Sequence, residues 1–160
     1  MKRTSGCFLG LLLVLFATPV MAVGVLSLSR TELTLEPGKS APELHVENTG
    51  DTPLYLDVEQ KLLLNPGQAP ERLVPIQEVE RPSLLVTPGR LVLAPGQKRR
   101  MVLQEIETPT RTQVWRVTFR PRERLHIESE VLSAPLVVSV GYGVVVYQLA
   151  PENLGAEFHH

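Results

Sequence analysis

The residue types that could do chemistry in this chain stand in patterns that do not support it. Gly38-Lys39-Ser40 matches the end of a phosphate-binding loop, in which a lysine and a hydroxyl follow a glycine-rich cradle for phosphate. The glycine required five positions before Gly38 is Leu33, and a Pro-Gly turn between two strands accounts for the triplet without a nucleotide. Ser139-Val-Gly-Tyr-Gly143 has the order of a potassium selectivity filter. That chemistry needs membrane helices to hold a ring of carbonyls, and no such helices follow the N-terminal segment. The plainer reading of Gly141 and Gly143 is a bulge, or a place where another backbone comes close. His45 and His126 lie far apart, with no Ser/Asp grouping that would nominate a triad. Glu78 and Glu80 read as solvated loop carboxylates, and His159-His160 lacks the further ligands of a zinc site. The expectation is a protein that is not an enzyme and holds no cofactor or metal.

The N-terminus reads as an export signal. Lys2 and Arg3 precede an apolar stretch at residues 8–16, and Val20-Met21-Ala22 supplies the small residues of a cleavage site. The apolar stretch is far short of the ~20 residues of a spanning helix. Cys7 precedes it, where no lipid-attachment cysteine belongs, so residues 23–160 contain no cysteine. Such a chain must hold together without disulfides in an oxidising compartment. Losing Lys2 and Arg3 takes 16 basic residues to 14 against 17 acidic ones, a net of −3. That balance gives no electrostatic case for nucleic acid. We therefore expect a signal at 1–22, one domain at 23–150 and a tail at 151–160, with no membrane span once the signal is removed.

Residues 134–149 form the longest charge-free apolar run outside that signal. Val dominates it, with Tyr142 and Tyr147 and no Lys, Arg, Asp or Glu. The composition is that of a β-strand, but the run is much longer than the usual strand of about 5–6 residues. A strand of this length is expected to project past its own sheet, and an exposed apolar edge pairs with whatever offers a second edge. One face carries Leu136, Val138, Val140 and Tyr142. The other carries Val137, Ser139, Gly141 and Gly143. The rival reading for residues 144–147 is that they fill the chain's own core.

The rest of the chain is a scaffold for that run. Pro-Gly pairs at 37–38, 66–67, 88–89 and 95–96, with Asn48-Thr-Gly-Asp51, mark turns. Between them we expect strands at 25–35, 44–48, 53–60, 84–86, 90–93 and 100–104. Gln113-Val-Trp-Arg-Val-Thr-Phe-Arg120 alternates most cleanly, with Trp115, Val117 and Phe119 on one face and Arg116, Thr118 and Arg120 on the other. Residues 121–133 are charged and read as a mobile loop. About seven strands at this spacing predict an all-β, immunoglobulin-like sandwich.

The order of these pieces resembles the PapD-like periplasmic chaperones of the chaperone–usher pathway, in their N-terminal domain. The resemblance rests on Val86-Thr-Pro-Gly-Arg-Leu-Val-Leu-Ala-Pro-Gly-Gln97, Arg100-Met-Val-Leu103 and Trp115-Arg-Val-Thr-Phe119, between Leu28-Ser-Arg-Thr-Glu-Leu-Thr-Leu35 and Val144-Val-Val-Tyr147. The last strand looks like those of the branches that serve non-classical fimbriae. The resemblance implies a periplasmic chaperone that binds pilus subunits lacking one strand of their own sandwich. It would lend its last strand to them (donor-strand complementation) and deliver them to an outer-membrane usher. Leu136, Val138, Val140 and Tyr142 are then the face expected to enter the subunit, and a strand left without a client is expected to self-associate.

Two departures from the family pattern stand out. A basic residue of the first strand and a lysine of the last anchor the client's terminal carboxylate in such chaperones. Here the first position falls on Glu32 or, with a two-residue slip, on Arg30. The second falls near Val144, and the strand has no lysine, so Arg30 is the leading anchor and Arg116 the second. The family also has two sandwich domains, and this chain stops where the second would begin. The alternatives are a structural or adhesive surface subunit with the same sandwich, or a secreted sandwich that binds carbohydrate. A complete last strand argues against the first of these, and a single tryptophan with 5% aromatic residues argues against the second.

Overall fold

The structure, a computed structural model, describes residues 25–122, 125–127, 136–138 and 141–151, with backbone alone at 125–127 and 136–138. Within these residues the chain forms β1 (Leu26–Leu28), β2 (Glu32–Leu35), β3 (Leu44–Asn48), β4 (Leu54–Leu63) and β5 (Leu73–Pro75). After a single 3-10 turn at Ile76–Glu78 come β6 (Leu84–Thr87), β7 (Arg90–Leu93), β8 (Lys98–Glu105), β9 (Gln113–Pro121), β10 (Leu125–Ile127), β11 (Leu136–Val138) and β12 (Tyr142–Gln148). The fold is the expected all-β sandwich. One sheet has the order β1-β3-β8-β6 and the other β2-β12-β9-β4-β5, with β7 also paired to β4.

Alternation sends one side chain in two into the space between the sheets. Trp115, Val117 and Phe119 of β9 are fully buried, as are Leu44 and Val46 of β3 and Leu84 of β6. Val144 and Val146 of β12 join them, together with Leu33 of β2 and Met101 of β8. The turns between strands use Pro-Gly pairs as expected. Gly38 and Gly96 take φ of 74° and 75°, a region that L side chains rarely enter.

The first expected strand, 25–35, is two. β1 pairs antiparallel with β3, and β2 pairs parallel with β12 in the opposite sheet. The chain crosses the sandwich at residues 29–31, and the crossing is visible in the pattern. Leu26 and Leu28 face inward at even positions, whereas Leu33 and Leu35 do so at odd ones, and a strand staying in one sheet keeps its phase.

The expected loop at 121–133 contains β10, and the expected single strand at 134–149 is described as two strands, β11 and β12. β10 and β11 pair with each other as a separate two-stranded ladder, Leu125↔Val138 to Ile127↔Leu136. β12 instead pairs with β9, from Tyr142↔Phe119 to Gln148↔Gln113. From Phe119 to Leu125 the chain advances six positions, and from Val138 to Tyr142 only four, so the two ladders are offset by two residues. The signal at 1–22 and the tail beyond Pro151 lie outside the described residues.

Three buried amides join the sheets where apolar side chains do not. Gln60 on β4 donates from Nε2 to Leu84 O at 2.9 Å and accepts from Val86 N at 3.0 Å, crossing to β6. Asn48 donates from Nδ2 to Thr52 O and Leu93 O, at 2.7 and 3.0 Å. Gln148 on β12 is the third, and it belongs to the site below.

Candidate functional site

β12 has two edges, and they are not covered equally. β9 lies along the whole strand, whereas β2 pairs only with residues Val145 to Gln148. Val145 N donates to Thr31 O and Leu149 N to Leu35 O, both at 2.9 Å. The odd-numbered residues of β12 therefore direct their main-chain groups at the β2 edge. By the same alternation Gly143 turns its N–H and C=O to that edge, where β2 no longer reaches. Among the described residues these two groups have no backbone partner. An unpaired row of this kind is a template for another strand.

The two glycines fit that edge in different ways. A Cβ on Gly141 would stand 2.9 Å from Thr118 Cγ2, so this backbone lies closer to β9 than a side chain allows. Around Gly143 nothing comes within 4 Å of where a Cβ would be, which leaves room for an incoming backbone.

The β2–β12 register, extended by two residues from Val145↔Glu32, sets Arg30 opposite Gly143. Arg30 is exposed at the crossing between β1 and β2, and among the described residues it has no ion-pair partner. A free guanidinium thus stands beside the unpaired main chain. Val144, where the family pattern puts a lysine, is 1% exposed and points into the core. An ammonium there would be buried without a partner, which the interior does not tolerate. Arg116 lies on the outer face of the larger sheet opposite Val145, and its guanidinium is engaged by Glu71.

Of the expected donor face, Tyr142 is half-buried and packs against the core, in line with Val144 and Val146. Leu136 and Val138 lie in β11, and Val140 lies outside the described residues. The structure thus places Tyr142 and Arg30 at the two sides of the open edge and sets Arg116 apart with its own carboxylate.

Gln148, which its polar type hides in the sequence, anchors the other end of β12. It is fully buried. Its Oε1 accepts from Ser83 Oγ at 2.6 Å and from Trp115 Nε1 at 3.2 Å. Its Nε2 donates to Glu105 Oε2 at 3.0 Å and to Ser83 O and Glu107 O at 3.3 Å. One side chain therefore joins β12 to β9, to the start of β6 and to the end of β8.

Farther across the same sheet, Asp57 on β4 accepts from Arg122 Nη2 and Nε at 2.7 and 3.0 Å, with Arg90 Nε 3.5 Å away. The Arg122 hydrogen bonds, helped by the nearby Arg90 charge and opposed by some loss of solvation, hold the Asp57 carboxyl below its ordinary value of 3.8. A carboxylate with a lowered folded-state pKa adds stability above the unfolded value and loses it as pH falls through the folded one. The difference in melting temperature between wild type and Asp57→Asn is therefore expected to stay constant from about pH 5 to 8 and to shrink below about 3.8. A difference that changed between pH 5 and 8 would place the titration on another group.

No family model matches the chain. A curated relative, a CFA/I fimbrial subunit protein of Escherichia coli, is 28% identical over 103 residues, which are 62% of this chain and 43% of that protein. Among solved structures, a chaperone–tip adhesin complex of CFA/I fimbriae matches with a TM-score of 0.66 at 21% identity, over 81% of this chain and 59% of that one. The class 5 fimbriae chaperone CfaA matches at 0.62 and 23%, over 79% and 56%. The CsuC–CsuE chaperone–tip adhesion complex of Acinetobacter baumannii matches at 0.60 and 12%, over 80% and 58%. The fold is thus the PapD-like sandwich of pilus-assembly chaperones. The chain spans less than two thirds of each of these relatives.

Proposed function

We propose that this chain is a periplasmic, non-enzymatic chaperone of fimbrial subunits that lends its last strand to a client and passes it to an outer-membrane usher. The observation that carries the reading is the unpaired main chain at Gly143, at the end of an apolar run and beside the unengaged Arg30. A client strand pairing there would gain main-chain hydrogen bonds from the edge. The client's groove would take up alternate apolar side chains of the run, the face Leu136, Val138, Val140 and Tyr142. The chaperones named among the similar structures support the client class. Among the described residues no helix is long and apolar enough to cross a membrane.

The direct test is to refold a fimbrial subunit, encoded beside this gene, with and without the purified chain. A one-to-one complex that keeps the client soluble is expected. Equal rates of client aggregation in both samples would end the proposal. Without a client the chain is expected to form dimers or larger species through the same edge, read by sedimentation.

Within this reading Arg30 receives the client's terminal carboxylate, and Arg116, held by Glu71, is the weaker anchor. A charge-assisted contact contributes about 1.5–3 kcal/mol, so Arg30→Ala should weaken capture by roughly ten- to a hundredfold. The exposed site predicts an unchanged melting temperature. A variant that captures as tightly as wild type would remove Arg30 from the anchor.

The second reading, a fimbrial subunit, is favoured by the name of the curated relative. Such a chain would accept a strand rather than lend one, and an added apolar peptide would stabilise it. Here β12 already lies between β2 and β9, where an accepted strand would have to go. A carbohydrate-binding role is disfavoured because Trp115 is fully buried and offers no exposed indole platform.

A further inference from the structure

We infer that Gln148 selects the pairing register of β12, and so decides which residues of the apolar run reach the open edge. The inference rests on the reading of β12 as part of a lent strand. The run itself is a poor ruler. Its even positions from Leu136 to Val146 are all apolar, so a slip by two residues keeps an apolar inward face and costs little in pattern. A slipped register is already present nearby, since β10 and β11 pair two residues out of step with β9 and β12. Continuing their ladder into the sandwich would put Gly143 opposite Arg120 and Gln148 opposite Trp115, where Val146 now stands.

Gln148 acts on both alternatives. In the observed register its amide is satisfied on both atoms, by Ser83, Trp115, Glu105 and Glu107. In the slipped register the same amide would enter the apolar layer occupied by Val146, away from Ser83 and Glu105, and a buried amide without partners is strongly disfavoured. A polar side chain satisfied in one arrangement and stranded in the other fixes register by excluding the alternative. Gln148 is thus a positioning residue. It never touches a client, yet with a slip Val145 rather than Gly143 would stand opposite Arg30, and every side chain offered to a client would move by one pocket.

Paired cysteines read the register in the free protein. Gly143↔Thr118 is a pair that does not exchange main-chain hydrogen bonds, because the odd residues of β12 bond toward β2. Such pairs lie about 4.5 Å apart at Cα, within the range a disulfide bridges. The space at Gly143 admits a side chain. In a Cys7→Ser background, Gly143→Cys with Thr118→Cys reports the observed register, and Gly143→Cys with Arg120→Cys the slipped one. With Gln148 present, mild oxidation is expected to close the first pair at least tenfold faster than the second. With Gln148→Leu or Gln148→Met the second pair should close at least as fast as the first, and client capture should fall at least tenfold.

If both variants keep the first pair, Val144 and Val146 fix the register and the inference fails. It fails too if wild type closes the second pair, or if neither variant folds, because Gln148 would then serve stability and not register. None of these cross-links involves a client. A chain that switches register but captures no client even as wild type would leave the inference standing and overturn the chaperone proposal.

Discussion

A chain carrying Val140→Asp is expected to melt with the wild type and to capture no client, whereas Val144→Asp, four residues on, is expected not to fold. The contrast follows from where the strand changes role. Val144 is 1% exposed between the sheets, and a carboxylate forced there would lack both solvent and a counter-ion. That is a penalty of several kcal/mol, against a total stability of about 5–15 kcal/mol. Val140 precedes the described strand, and under the proposed function its side chain meets an apolar groove only in the complex. The charge would then be felt in binding alone. Thermal melts and client capture, measured on both variants, divide the run into core and lent segment. A Val140→Asp protein that unfolds by itself would assign Val140 to the core and end strand lending for that position.

Trp115→Ala is expected to produce the largest loss of stability among single truncations of β9. The indole is fully buried, it lies opposite Leu62 and Val146 on the neighbouring strands, and its Nε1 donates to Gln148 at 3.2 Å. Truncating a buried tryptophan costs about 3–5 kcal/mol, which should lower the melting temperature by on the order of 10–20 °C. Trp115→Phe, which keeps most of the apolar volume, should lose far less. Equal losses from the two variants would show that the hydrogen bond, and not the volume, matters at this position.

Much of the sandwich is legible in the sequence because its strands alternate. The strand at residues 113–120 and the four residues of β7 are readable from pattern and Pro-Gly punctuation alone, and the inward side chains of β9 are those the alternation names. Residues 25–35 read as one strand although the signal for two is present. The inward leucines change from even to odd positions between Leu28 and Leu33, and a change of phase marks a change of sheet. The run at 134–149 carries no such signal, because its apolar phase never changes. β10 is hidden by charge, since a strand outside the core needs no apolar row. Of the candidate site, Arg30 can be named from the sequence, but its place opposite Gly143 depends on a parallel pairing that only the fold supplies. Gln60 and Gln148 read as ordinary polar residues, because what satisfies them lies on other strands.

The pairing of β2 with β12 also has a consequence in time. Glu32 waits for Val145, a partner 113 residues later in the chain. Contacts between such distant residues must first close a long loop, and folds dominated by them form slowly, in milliseconds to seconds. During synthesis β2 therefore exists well before the strand that will cover it, and β9 waits in the same way on its β12 side. The larger sheet can be completed only when nearly the last described residues have emerged. Until then its centre holds a gap one strand wide, the same vacancy that the proposed function would have this protein fill in others.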